Sequence, residues 1–252
     1  MIVGSDLARF LPILEKLSLK IRPVYFPEFD LVSVHGRLAG ARGLGGTEFT
    51  KSFQYHKFHV FDEYFTRWEK VLYIDSGMNI LKPIDGFWTL DTDGALLAHA
   101  DGFPTFEWKL KDQFNWVDFP DLASALEELV DGSADYFQTT MMLFDTRIIS
   151  ATTVGDLLDL TRRFPNSRTN DQGIVNLWAL PQKIWRPLPA ERRGGLHLYD
   201  FSERERLTEG DYVMLKYPKS KKLQRHGLSN WAFRQYWRLV MWRFSRGPES
   251  PQ

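Results

Sequence analysis

Lys70-Val71-Leu72-Tyr73-Ile74-Asp75-Ser76-Gly77 is the stretch whose reading decides the fold. Val71 to Ile74 is a short apolar run with β-branched and aromatic members, too short for a helix, and it reads as a strand. The run is continuous rather than alternating, so the expectation is a strand covered on both faces, as in a parallel α/β sheet. Asp75 then stands at the strand's C-terminal end, where open α/β sheets bind ligands. Gly77 allows a tight turn or a close approach of backbone to ligand. An aspartate here also has a plainer use, capping the turn that follows, and this segment alone does not choose between the two.

Upstream, Met1 to Gly4 reads as a strand. Leu7, Phe10, Leu11, Leu14 and Leu17 recur at helical spacing after a candidate cap at Asp6, and Ile21 to Phe26 reads as a second strand. This is a β-α-β opening. Gly36 to Gly46 is a glycine-rich connection with Arg37 and Arg42, but it has neither a Gly-Lys-Ser/Thr element nor an ordered G-x-G-x-x-G. Phe53 to Trp68 carries a helical aromatic pattern and leads straight into the Asp75 strand.

Downstream, Lys82-Pro83 marks a turn. Ala95 to Ala100 reads as a strand, Asp101 to Phe119 as an irregular aromatic-rich loop, and Leu122 to Val130 as a short helix. Tyr136 to Asp145 is a strand, Thr152 to Phe164 a helix, and Asn170-Asp171-Gln172-Gly173 caps a helix from Ile174 to Leu180. Trp185 to Leu188 and Tyr212 to Tyr217 are late strands. Lys216, Lys219, Lys221, Lys222 and Arg225 form a basic cluster ahead of His226-Gly227. A closing helix from Leu228 to Phe244 and a tail from Gly247 to Gln252 complete the chain. No internal repeat is evident. The expected organisation is a single domain over residues 1–246 with a tail at 247–252.

Composition bounds the function. The 252 residues suffice for one large α/β domain or two small ones. Lys plus Arg and Asp plus Glu are each 32, and the resulting zero net charge argues against nucleic acid as a partner. There is no cysteine, which excludes disulfides, zinc-thiolate sites and thiol nucleophiles. No apolar run reaches the length of a transmembrane helix, and residues 1–10 lack a signal-peptide layout, so the cytoplasm is the default expectation.

Three segments in order resemble family 8 of the GT-A glycosyltransferases, the glycogenin and galactinol-synthase type. The first runs from Lys57-Phe58 through Val71-Leu72-Tyr73-Ile74-Asp75-Ser76-Gly77, with Pro83-Ile84-Asp85-Gly86-Phe87-Trp88 after it. The second is Tyr136-Phe137-Gln138-Thr139-Thr140-Met141-Met142-Leu143-Phe144. The third is Asn170-Asp171-Gln172-Gly173. The resemblance spans most of the chain and implies a GT-A-like, Rossmann-related mixed central sheet flanked by helices. Two departures are visible. The family's Asp-x-Asp is Asp75-Ser76-Gly77 here, without the second carboxylate. The chain also starts at what would be the family's second strand, so the first strand is expected to be missing, either in a shortened variant or through truncation.

The resemblance implies a sugar transferred with retention from a nucleotide-diphosphate sugar, a UDP-sugar being the expected donor, to an acceptor it does not name. Asp171 would lie near the anomeric carbon with Gln172 beside it, and Gln138 would contact sugar hydroxyls. Lys57, Asp75, Ser76 and Gly77 would line the donor. The family's metal, manganese or magnesium, would fall to Asp75 and His226. A lost carboxylate weakens a hard-ion site, and Lys216, Lys219 and Lys222 are expected to compensate by pairing with the diphosphate. The competing readings are a non-catalytic nucleotide- or glycan-binding module of the same fold and, last, a nucleotidyltransferase, which needs a glycine-rich signature absent from Met1 to Asp6.

Overall fold

The computed structural model describes residues 2–3, 24–31, 52–75, 78–103, 106–189, 197–201 and 212–216. Ser76, Gly77, Lys219, Lys222 and His226 lie outside the described residues, as do the glycine-rich connection at 36–46, the closing helix at 228–244 and the tail. The fold is mixed α/β, and its contacts divide the chain into two units.

The first unit takes in residues 1–75 and 89–189. Its main sheet has four strands: β3 (Lys70–Ile74), β5 (Leu96–Ala100), β6 (Phe137–Asp145) and β7 (Trp185–Pro187), in the spatial order β3-β6-β5-β7. β6 runs antiparallel to both β3 and β5, while β7 is parallel to β5. β3 and β5 therefore point the same way, and their C-terminal ends share one sheet edge with the first residues of β6. A separate parallel pair joins β1 (Ile2–Val3) to β2 (Tyr25–Phe26), as the β-α-β opening requires. The connecting helix expected at 7–17 lies outside the described residues.

The expectation for the Val71 to Ile74 strand needs correction. β3 is half-buried along its whole length, and β6 is its one neighbour in the described sheet. The strands buried on both faces are β5, buried throughout, and β6, where every residue but Thr140 is buried. Each lies between two neighbouring strands, so these are the ones that need apolar side chains on both faces.

The segment before β3 folds as two 3-10 stretches, Ser52–Phe61 and Glu63–Arg67, rather than one α-helix. Tyr55, Phe58 and Phe61 recur every third residue and are all buried. Three residues per turn puts such a set on one stripe of a 3-10 helix. Phe61 packs on Phe144 of β6 and on Trp178. The other helices are α1 (Asp85–Trp88), α2 (Leu122–Leu129), α3 (Thr153–Arg163) and α4 (Asp171–Ala179). α2, α3 and α4 fall within a residue or so of their expected starts and ends, except that α4 begins at Asp171 and not at Ile174.

α4 is locked to β6 by one buried amide. The Asn176 side chain accepts from the Phe137 backbone N–H at 2.9 Å and donates to its carbonyl at 2.8 Å. This sets the first turn of α4 beside the start of β6. Gly173 serves the same packing, since a Cβ there would collide with the Ser167 hydroxyl and come within 3.2 Å of the Phe114 ring.

The second unit takes in residues 76–88 and 190–252. Its described strands are β4 (Met78–Ile80), β8 (His197–Phe201) and β9 (Tyr212–Lys216), in the order β4-β9-β8. β9 is antiparallel to β4 and parallel to β8. Lys216 ends β9. Neither β4 nor β8 is anticipated by the sequence pattern. Among the described residues no helix is long and apolar enough to cross a membrane.

Candidate active site

The shared edge of the first unit's sheet collects polar groups that the interior would otherwise reject. Their centre is Lys57, whose side chain is only 9% exposed. Its Nζ lies 2.7 Å from Oδ2 of Asp171 and 3.4 Å from Oδ1 of Asp75. It also donates to the Thr139 hydroxyl at 3.1 Å and to the Thr139 carbonyl at 3.2 Å. The Thr139 hydroxyl in turn donates a hydrogen bond to Oδ2 of Asp171 at 2.7 Å. A buried ammonium is tolerated only with such compensation. Burial by itself pulls the lysine downward. The charges of Asp171 and then Asp75, with the hydrogen bonds they accept, outweigh it and raise the ammonium above its ordinary value.

Asp75 is fixed from its own strand. The Tyr73 hydroxyl, two residues earlier and on the same face, donates to Oδ1 of Asp75 at 2.7 Å. The Asp75 backbone N–H extends the ladder to the Thr140 carbonyl at 2.9 Å. Burial, followed by the charge of Asp75 and the bond to it, pushes the Tyr73 phenol well up, so it stays a donor through the physiological range.

Asp171 opens α4 but caps nothing. Asn170, the residue before it, has a left-handed backbone with φ 52° and makes no capping bond; its amide instead donates to Oε1 of Gln54 at 2.6 Å. The expectation that this tetrapeptide caps the helix is therefore corrected. Asp171 points into the Lys57 cluster because α4 is clamped to β6 through Asn176. Both described bonds to its carboxylate fall on Oδ2.

Next to this cluster, two amides converge on a carboxylate that sequence reasoning passed over. Nε2 of Gln138 donates to Oδ1 of Asp101 at 2.6 Å, and Nε2 of Gln172 donates to Oδ2 at 3.2 Å. Gln172 also donates to Oε1 of Gln113 at 2.9 Å and accepts from the Thr139 backbone N–H at 3.4 Å. Asp101 immediately follows β5 and bonds back to the Tyr136 carbonyl. Its position mirrors that of Asp75 after β3, and this was the available signal: an apolar strand ending in Asp-Gly. Read alone, Asp101-Gly102 is a turn. Thr139 was equally missed as a bridging hydroxyl.

The structure thus brings Lys57, Asp75, Gln138, Asp171 and Gln172 together in one unit, from four elements distant in sequence. Lys216 sits at the end of β9 in the second unit. Oδ1 of Asp75 accepts from the Tyr73 phenol and faces the Lys57 ammonium. Among the described residues no group of three or more His, Asp or Glu side chains could hold a metal ion, and His226, the expected partner of Asp75, lies outside them.

No protein-family model matches the chain, and no curated protein matches it. Among solved structures, the galactosyltransferase LgtC in complex with donor and acceptor sugar analogues is similar, with 15% identity, 85% of each chain covered and a TM-score of 0.48. The apo WbbM bifunctional glycosyltransferase is 14% identical over 82% of this chain and 37% of its own, with a TM-score of 0.46. Apo mouse xyloside xylosyltransferase 1 is 11% identical over 85% of this chain and 82% of its own, with a TM-score of 0.44.

Proposed function

We propose that the protein is a glycosyltransferase that takes a sugar, with retention of anomeric configuration, from a nucleotide-diphosphate sugar, most simply a UDP-sugar. The observation that carries this reading is the Lys57 ammonium between Asp75 and Asp171. It joins the two carboxylates that the ordered motifs single out, one at a strand end and one at a helix start. The reading rests on those motifs and on the chemistry of the cluster.

Roles follow from the bonds. Lys57 and Thr139 hold one oxygen of Asp171, so the carboxylate keeps a fixed orientation with Oδ1 left to meet the reacting sugar carbon. Asp171 is only 4% exposed, and its negative charge, presented through Oδ1, stabilises positive charge developing at the anomeric carbon. Gln138 and Gln172, fixed by Asp101, orient sugar hydroxyls. Asp75 and its tyrosine hold the donor side of Lys57. No step here passes through a metal.

The test is release of UDP from UDP-glucose, UDP-galactose and UDP-N-acetylglucosamine, with and without manganese. Hydrolysis or transfer is expected, with Asp171→Asn losing on the order of a hundredfold or more, the scale of removing an electrostatic stabiliser. Failure with every nucleotide sugar under both conditions sinks the catalytic reading. A second reading, a non-catalytic nucleotide- or glycan-binding module, is favoured by Gly77 standing where the family has a second carboxylate. UDP binding without turnover, unchanged by Gly77→Asp, would select it.

A further inference from the structure

We propose that Gln54 is a positioning residue for Asp171: it holds the Asn170 side chain and so fixes the turn that aims the Asp171 carboxylate at the reacting sugar. The catalytic part of this inference rests on the donor-sugar reading above. Gln54 and Lys57 lie three residues apart on the 3-10 stretch Ser52–Phe61, and residues at that spacing stand one above the other on such a helix. Their side chains meet consecutive residues of the segment that opens α4. Nδ2 of Asn170 donates to Oε1 of Gln54 at 2.6 Å, and Nζ of Lys57 lies 2.7 Å from Oδ2 of Asp171. One stripe of the helix thus grips both the carboxylate and the residue before it.

The grip matters because the backbone there is strained. The Gln172 N–H donates to the Thr169 carbonyl at 3.2 Å and closes a turn over Thr169 to Gln172. Asn170 takes the first central position with φ 52° and ψ −114°, the geometry of a type II′ turn and one that glycine adopts most easily. Another residue stays in such a conformation only where its surroundings over-determine it, and residues of this kind cluster at functional sites. Two side chains do so here. The Ser167 hydroxyl, on a residue 1% exposed, donates to the Asn170 carbonyl at 2.9 Å and fixes the peptide that leads into Asp171. Gln54 supplies the other hold. Glycine would suit the backbone better, so the asparagine is explained by the bond its amide makes. Gln54 therefore acts on Asp171 through Asn170. With that acceptor gone the turn relaxes and Oδ1 of Asp171 leaves its place, and a misplacement of about 1 Å costs on the order of a hundredfold in rate.

The experiment measures UDP release from UDP-glucose, UDP-galactose and UDP-N-acetylglucosamine by the full chain and by Q54L, Q54E, N170G and the Q54L/N170G double variant, each checked for folding by circular dichroism. Q54L and N170G are each expected to lose at least about tenfold in kcat with KM held within about threefold, and the double variant to lose no more than either alone. Q54E keeps an acceptor oxygen at the same reach and is expected to stay within about threefold of the wild-type kcat. A merely structural role predicts the reverse for N170G, since glycine relieves the turn. A kcat that Q54L and N170G leave unchanged, or losses that multiply in the double variant, overturns the proposal and leaves the donor reading standing. If Q54L does not fold, N170G carries the same comparison from the other side of the bond. A second readout needs no turnover: urea denaturation of Q54L, D171N and their double variant. One turn joins the two residues, so the double variant is expected to lose less than the sum of the singles, and additive losses overturn the placement of Asp171 by Gln54. Absence of turnover with every nucleotide sugar ends the donor reading, and the catalytic part of this inference falls with it.

Discussion

The two ends of β6 solve the same problem in different ways. At its start, beside Gln138 and Thr139, the carboxylates of Asp75 and Asp171 meet a buried ammonium and that of Asp101 meets the Gln138 amide. At its finish, Asp145 is 3% exposed and is satisfied almost entirely by its own neighbourhood. It accepts from the Arg147 backbone N–H at 2.9 Å, from the Gly94 N–H at 3.1 Å and from the Arg147 guanidinium. That guanidinium is 68% exposed and also reaches Asp93. Asp145 is a turn cap with a solvated partner, built from Arg147 two residues on and from the Gly94 N–H. Such a device ends a strand and asks for no ligand. The opposite end draws on residues from four elements and buries its cation. That is a costly way merely to finish a strand, and the proposed function builds on that difference.

The largest effect should come from removing the buried cation. Lys57→Met removes the ammonium between Asp171 and Asp75, and breaking a buried pair in this way costs about 3–5 kcal/mol. Urea denaturation should show it, and Lys57→Met combined with Asp171→Asn should recover a measurable part. Recovery of none would show that the two ends are energetically alike.

The pH dependence of stability should separate the ends next. Lys57 is raised in the folded state, so its contribution is complete below the ordinary lysine value and is lost as pH rises through the higher folded one. Asp145 is lowered, chiefly by the Arg147 side-chain bond, against an opposing effect of burial and with help from the backbone N–H groups of Arg147 and Gly94. Its contribution is present above the ordinary aspartate value and is lost as pH falls through the lower folded one. Urea midpoints measured across pH should therefore lose part of their alkaline slope in Lys57→Met and part of their acid slope in Asp145→Asn. An exchange of those two outcomes would invert the comparison.

The smallest effect should be Arg147→Ala. The backbone donors to Asp145 survive the substitution and solvent replaces the guanidinium, so the urea midpoint should barely move. A loss comparable to that of Lys57→Met would make the far end as critical as the near one.

Much of the framework was legible in advance. Leu96 to Ala100, Phe137 to Asp145, α2, α3 and α4 are all marked by apolar runs or helical spacing, because burial of one face imposes a period on the chain. The ordered motifs likewise placed Lys57, Asp75, Gln138, Asp171 and Gln172 on one list. Asp101 was hidden because Asp-Gly after a strand is also ordinary turn chemistry. The half-burial of β3 was hidden because an apolar run says that a strand is covered, and not by which neighbour or on how many sides.

By itself, the order of residues determined where β5, β6, α2, α3 and α4 lie and that Asp75 and Asp171 stand at element ends, since those follow from local spacing and side-chain type. Only the tertiary structure decided which of those ends meet. β6 enters antiparallel between β3 and β5, and Asn176 pins α4 against it. Pairing of this kind is a contact between distant segments, and in this chain it is what turns an isolated strand-end aspartate into one side of a lysine-bridged pair.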